Sequence, residues 1–303
     1  MLDFNPRELK YVNLDIWIDI REIVHIVLEN PIVVRINGIN ILRLYFFLIL
    51  ILGLLLPEGI SQAKVKQPLK NSIFRLGGLE RADTTIQTIY LAFTGHDYSD
   101  GGNIIKKILK KNSIKAHFFF TGDFYRNKKN KKLINELLRQ GHYLGPHSDK
   151  HLLYATWEDR NVLIVSKEEF ISDVSKNYEI MATFGISKVE GRFFMPPYEW
   201  YNQHISNWSY EYGIHLVNFS PGTRSNADYT TPDMGTRYID SDKIYTSIFD
   251  YEASSSSGLN GFILLVHIGT HPSRTDKFYL RLPSLIQDLK SKGYKFGLLS
   301  DLY

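Results

Sequence analysis

Cysteine is missing from all 303 residues. That removes disulfides, thiolate nucleophiles and cysteine-held zinc together, so any metal must be held by histidine and carboxylate. Excess charge is scarce as well: 36 basic against 32 acidic residues leave a formal net charge of +4. Lysines do gather at 103–115 (NIIKKILKKNSIK) and 126–132 (RNKKNKK). In the first stretch, however, Ile104, Ile105, Ile108 and Leu109 recur at helical spacing with the lysines opposite them, the pattern of a solvated helix face. No aromatic interleaving or groove-reading motif accompanies them, so no nucleic-acid partner is expected. An apolar run long enough to span a bilayer is also lacking. The one uninterrupted run, LYFFLILILGLLL at 44–56, falls short of the roughly 20 residues a spanning helix needs. It follows Arg35 and Arg43 and precedes Pro57, Gly59 and SQA at 61–63, which fits a secretory signal cleaved after Ala63. Residues 1–40 make an n-region far too long for an ordinary signal, and no methionine lies between Met1 and Met181. An overcalled start is therefore expected, with a retained membrane anchor as the competing reading.

What is present in quantity is hydrophobic residues, 44% of the chain, enough for one α/β domain of roughly 200–250 residues. Residues 1–63 form the N-terminal extension, 64–85 a polar, weakly patterned lead-in, and 86–303 the remaining domain. There a rhythm sets in, with strands expected at 85–93, 115–120, 142–145, 192–195, 214–219, 261–266 and 294–299. Helical patterns lie between most of them, at 103–111, 130–140, 167–184, 202–212 and 281–292, two of them stopped by Gly141 and Gly293. Strands apolar on both faces that alternate with helices imply a parallel sheet covered by helices. Seven such strands suggest a barrel or a doubly wound sheet. No internal repeat is visible, and ASSSSG at 253–258 reads as a polar loop.

In parallel α/β architectures the reactive groups sit on loops at the carboxyl ends of strands. Four polar clusters fall there: TGHDYSDGG (94–102), HSDKH (147–151), PPYEW (196–200) and HIGTHP (267–272). His147 and His151, four apart, would present both rings on one side of a helical turn, close enough to hold one cation if a third ligand arrives, and Asp97 is the natural third. Two imidazoles and one carboxylate leave coordination positions open for water, the pattern of a catalytic divalent site. The competing reading makes the pair surface or capping residues of a short turn.

The order LAF…HD, HSDKH, FMPPY, SNADY and ILLVHIG, closing with LPSLIQDLKSKGYKFGLL, resembles the polysaccharide deacetylases of the NodB-homology type, carbohydrate esterase family 4. The likeness runs from about Ile86 to the C-terminus. It implies a distorted (β/α)7 barrel as a single catalytic domain, and removal of N- or O-acetyl groups from a polysaccharide or amino sugar by metal-activated water. It also implies Asp97, His147 and His151 as ligands of a divalent metal, zinc first, with cobalt, iron or manganese possible. His267 would be the acid that protonates the leaving amine, Asp228 its orienter, and the Tyr198 N–H an oxyanion donor. Pro197, Tyr198, Trp200 and Tyr229 would line the sugar site, with Trp157 a weaker candidate. The implied location is periplasmic or cell-envelope associated, in a bacterium, with membrane contact only through the N-terminal anchor.

Departures stand beside the likeness. The family's first motif reads Thr-Phe-Asp-Asp-Gly, whereas here Phe93 is followed by Thr94, Gly95, His96 and Asp97. Placing His96 and Asp97 over the acidic pair needs a two-residue shift, which makes His96 the candidate base with Asp97 and Asp100 as rivals. Met195 stands where the family carries an arginine, so Arg192 or Arg224 would have to brace the base from elsewhere. His271, beside Pro272, reads as structural. These losses keep two alternatives open: a catalytically silent glycan-binding module of the same fold, and a metal-dependent amidase or esterase on a non-sugar substrate.

Overall fold

A computed structural model describes residues 35–36, 39–40 and 69–302, so the apolar run at 44–56 and its cleavage site lie outside the described residues. The chain divides into two units, 1–65 and 66–303. In the first, β1 (Arg35–Ile36) and β2 (Ile39–Asn40) pair antiparallel. The second opens with a hairpin of β3 (Ile73–Arg75) and β4 (Gly78–Arg81). β3 is exposed and β4 is buried throughout. The segment read as a polar lead-in therefore contributes a buried strand. Its Arg81 has its donors satisfied by neighbouring acceptors, Asn260 O at 2.7 Å, Gly258 O at 2.8 Å and Tyr251 Oη at 3.0 Å.

Alternation along β5 (Thr88–Gly95) organises the rest. Ile89, Leu91 and Phe93 join one apolar cluster while Tyr90 and Ala92 join another, so the strand is buried on both faces as a parallel strand must be. β6 (His117–Phe120) behaves likewise, with Phe118 and Phe120 in the first cluster and Phe119 in the second. Each such phenylalanine contributes roughly 1.5–3 kcal/mol on burial. β7 (Tyr143–Pro146), β8 (Phe193–Phe194), β9 (His215–Leu216), β10 (Ile263–His267) and β11 (Lys295–Phe296) complete the seven expected strands. A parallel ladder runs β10–β5–β6–β7, with β11 on the first residues of β5, and β8 and β9 form a second parallel pair. Hydrogen bonds link these pieces, among them Met195 N–H to Pro146 O at 3.3 Å, Asn218 N–H to Leu79 O at 2.8 Å, and Ser220 N–H to Ile263 O at 3.0 Å. The chain is thus an α/β fold with a parallel central sheet.

The connecting helices are α1 (Gly102–Lys111), α2 (Gly122–Arg126), α3 (Lys131–Arg139), α4 (Lys167–Ala182), α5 (Gln203–Glu211), α6 (Ser241–Ser254) and α7 (Leu282–Ser291). α1 buries Ile105 and Leu109 as its pattern requires, but Lys106 is drawn inward to pair with Glu136 of α3. Gly141 and Gly293 take φ values of +73° and +91° after α3 and α7, the left-handed stop read from the sequence. α4 begins with a capping box, Ser166 Oγ accepting from Glu169 N–H at 3.1 Å and the Glu169 carboxylate accepting from Ser166 N–H at 2.7 Å. That fixes the phase of the helix, and its buried face carries Asp173 and Asn177 toward the loop that follows β7.

Candidate active site

The carboxyl ends of β5, β7 and β10 open into one cleft of about 880 Å³. Its walls include His96, His147, His151, Tyr198, Tyr229 and His267, which places five of the sequence's candidate regions around a single space.

His267 ends β10. Its Nδ1 lies 2.6 Å from Asp228 Oδ1, and its own backbone N–H donates to Asp228 Oδ2 at 2.9 Å. Asp228, 1% exposed, therefore grips one residue with both oxygens from the turn at Ser225–Tyr229. With Nδ1–H committed to the carboxylate, Nε2 is the nitrogen that faces the cleft. Burial opposes a charge on this ring, but the Asp228 carboxylate outweighs it and holds the pKa above the ordinary imidazole value. Tyr229, half exposed, sets its ring 5.4 Å from that of His267.

The loop after β7 is wired to α4. His147 N–H donates to Asn177 Oδ1 at 3.0 Å, and Asp173 Oδ1 accepts from the N–H groups of Asp149 at 3.2 Å and Lys150 at 3.1 Å. Tyr154 Oη donates to the other Asp173 oxygen at 2.8 Å. Ser148 and His151 take φ of +74° and +57°, a left-handed backbone that costs about 1–2 kcal/mol per non-glycine residue. The pair is therefore brought together by an irregular loop, not by the helical turn that its spacing suggests. The His147 and His151 rings cross at 64° with centroids 5.0 Å apart. His147 Nδ1 donates to Met195 O at 2.8 Å, which leaves Nε2 free to accept. Burial, then the neighbouring imidazoles, depress His151 to about 2; burial likewise brings His147 to about 3. Both rings are neutral at any ordinary pH.

These two imidazoles suit a borderline divalent cation; the third donor is not brought to them. Asp97 is 66% exposed at its side chain, and its carboxylate lies 3.4 Å from His96 Nε2. His96 stacks on His151 at 4.7 Å with the planes 11° apart. Imidazole lone pairs lie in the ring plane, so stacked parallel rings direct them side by side, not to a common point. Among the described residues no group of three or more His, Asp or Glu side chains stands where it could hold an ion. Gly95 cannot help as it stands: a Cβ there would lie 2.8 Å from Ile268 Cγ2 and 2.9 Å from Phe120 Cδ1. Nor are the His96 nitrogens idle, since Nδ1 meets Thr121 Oγ1 at 3.0 Å while Thr121 accepts from Phe124 N–H at 3.1 Å. The Thr121 hydroxyl proton is then free for Nδ1, and Nε2–H turns toward Asp97.

Other candidates separate clearly. Asp100 is bound by Thr270 N–H at 2.9 Å, Tyr279 Oη at 2.8 Å and Lys277 Nζ at 3.0 Å, outside the cleft lining. Arg192 and Arg224 do not line the cleft; Arg237 does. Tyr198, 44% exposed at φ +59°, lays its ring 4.4 Å from His151. The next two N–H groups are committed to Pro196 O at 3.0 Å and Pro197 O at 3.2 Å. That of Tyr198 has no backbone acceptor among the described residues. Pro197 is buried behind the wall. Trp200 also sits behind it, its indole N–H on Thr156 O at 3.0 Å and the Arg160 guanidinium 3.8 Å over its ring. Trp157 takes the outer place, 54% exposed and in edge contact with Tyr198 at 5.4 Å. His271 lines the rim with Nδ1 on Ser273 Oγ at 2.7 Å. Among the lining residues that the sequence did not single out are Glu199, a lone charge beside an aromatic in a proline loop, and Thr94, whose buried hydroxyl has no partner among the described residues.

A family model described as polysaccharide deacetylase matches residues 81–217. A chitin deacetylase from Colletotrichum lindemuthianum is 29% identical over 194 residues, covering 62% of this chain and 68% of that protein. A peptidoglycan-N-acetylglucosamine deacetylase from Bacillus cereus is 24% identical over 195 residues, covering 64% of this chain and 78% of the other. Among solved structures, a CE4-family pseudoenzyme from Bacillus anthracis superposes with a TM-score of 0.57 at 18% identity, covering 76% of this chain and 69% of that one. At that identity the likeness is one of fold.

Proposed function

Since residues 81–217 belong to the polysaccharide deacetylase family, we propose that this chain is a carbohydrate deacetylase that hydrolyses the N-acetyl group of an acetylated amino sugar. The chitin and peptidoglycan deacetylases among its relatives support that substrate class. The observation that carries the reading is the His267–Asp228 pair, bonded at 2.6 Å and 2.9 Å at the mouth of the cleft. Water adds to the acetyl carbonyl carbon, and the developing oxyanion takes a hydrogen bond from Tyr198 N–H. The C–N bond breaks as His267 gives its Nε2 proton to the departing nitrogen, and acetate and a free amine result. Asp228 holds the ring and favours its charged form, while Trp157, Tyr198 and Tyr229 form an aromatic wall for pyranose faces.

His147 and His151 are the residues on which a divalent ion such as zinc would rest, but two donors without Asp97 do not make the expected set, and no step above passes through an ion. In the same reading the links Asn218–Leu79 and Ser220–Ile263 close the sheets into a distorted (β/α)7 barrel, and residues 44–56 direct export to the cell envelope. Acetate release from chitin oligomers and peptidoglycan fragments tests the proposal, with His267→Ala as the inactive control. The missing third donor favours a second reading, a silent glycan-binding module. Glycan binding with no acetate from any acetylated sugar would select it.

A further inference from the structure

The cleft holds a carboxylate that neither the sequence motifs nor the roles above employ. Of the three that line it, Asp97 and Asp233 are exposed, and Glu199 is half-buried. The Glu199 backbone is pinned on both sides, N–H to Pro196 O at 3.0 Å and C=O accepting from Asn218 Nδ2 at 3.0 Å. Its carboxylate makes no hydrogen bond or ion pair among the described residues, yet it interacts electrostatically with His267 and Asp228. Glu199 and Tyr198 are consecutive non-glycine residues in the left-handed region, at φ +53° and +59°. Glycine would adopt that backbone without strain, so this loop holds a glutamate at a conformational cost, and such strain gathers at functional sites. The same cleft is lined by Thr94, whose buried hydroxyl has no partner among the described residues and can meet a water or a ligand atom.

We propose that Glu199 is the general base of the deacetylation, the residue that takes a proton from the attacking water. This rests on the deacetylase reading above and supplies the step it leaves open. One water O–H bond breaks and its proton passes to a Glu199 oxygen while the water oxygen bonds to the acetyl carbon. The C–N bond then breaks as His267 protonates the amine; Glu199 returns its proton to solvent and His267 regains one, so both groups end as they began. The sum is amide plus water giving amine plus acetic acid, with no further reactant. Rivals for the role are occupied: His96 by Thr121 and Asp97, Asp100 by Thr270, Tyr279 and Lys277, and Asp228 by His267. Burial raises the Glu199 carboxyl to about 7, against the pull of His267, which matches a base working near neutrality.

Glu199→Gln and Glu199→Gly, compared with wild type for acetate release from chitin oligomers and for binding of the same oligomers, test this. Turnover should fall about 100-fold or more in both, with the dissociation constant within about threefold. Glu199→Gly should melt no lower than wild type, since glycine relieves the backbone, and added formate should restore part of its activity. An active wild type with Glu199→Gln within about threefold of it, while His267→Ala is dead, would overturn the base and leave the deacetylase reading standing. A wild type that releases no acetate overturns both.

Discussion

Two sides of the cleft have been furnished differently. At the end of β10, one imidazole and one carboxylate are locked together at 2.6 Å with the carboxylate fully buried. At the ends of β5 and β7, the His151 ring lies 4.7 Å from that of His96 and 5.0 Å from that of His147, while the candidate carboxylate, Asp97, faces solvent. The same ring has opposite proton affinity in the two places: His267 is raised above the usual imidazole value, whereas His147 and His151 fall to about 3 and about 2. Burial disfavours charge on both sides, so what separates them is the presence of a bonded carboxylate. A proton donor therefore sits on one side and a pair of bare acceptors on the other.

Removing the bond that distinguishes the first side should have the largest effect. Asp228→Ala is expected to lower turnover about 1,000-fold, measured as acetate release. The sign with pH follows from the raised His267 pKa: the acid form is lost as pH rises through that value, so activity should fall on the alkaline side. Without Asp228 that limb should move to lower pH, and an unmoved limb would detach His267 from the acid role. Placing a carboxylate on the second side tests why it lacks one. Gly95→Asp should destabilise the fold by roughly 2–3 kcal/mol through overpacking against Ile268 and Phe120, read from denaturant midpoints. Asp173→Ala should cost about 2 kcal/mol by orphaning two loop N–H groups and the Tyr154 hydroxyl. The smallest change is expected for Asp97→Asn, within about twofold in turnover, because a weak exposed contact contributes little. A large loss there would mean that Asp97 swings inward to the imidazole pair.

How far this was legible before the structure follows from the range over which each feature is determined. The seven parallel strands are written in local runs of β-branched and aromatic residues, and the stops at Gly141 and Gly293 in single residues. The hairpin at 73–81 was not visible because GLER carries one aliphatic residue and is buried by partners more than 130 residues away, among them Ser220 on Glu80 O. α6 was missed for a related reason: β-branched and aromatic residues blur its helical face, and its Asp240 cap is a weak signal alone. His147 and His151 stand out in HSDKH, and the strand-end rule places His267 in the same mouth. The direction of the Asp97 side chain depends on how the chain leaves β5, which no spacing encodes. Glu199 gives no local signal, because what sets it apart is its left-handed backbone and its place beside His267 and Asp228.

Three non-glycine residues that line the cleft, His151, Tyr198 and Glu199, and the buried Ser148 in the same loop as His151, hold positive φ. Their unfavourable torsions are settled when the chain folds, so a visiting saccharide meets a finished surface with little left to rearrange. Capture by such a mould should be limited by encounter, with selectivity arising from shape and not from closure.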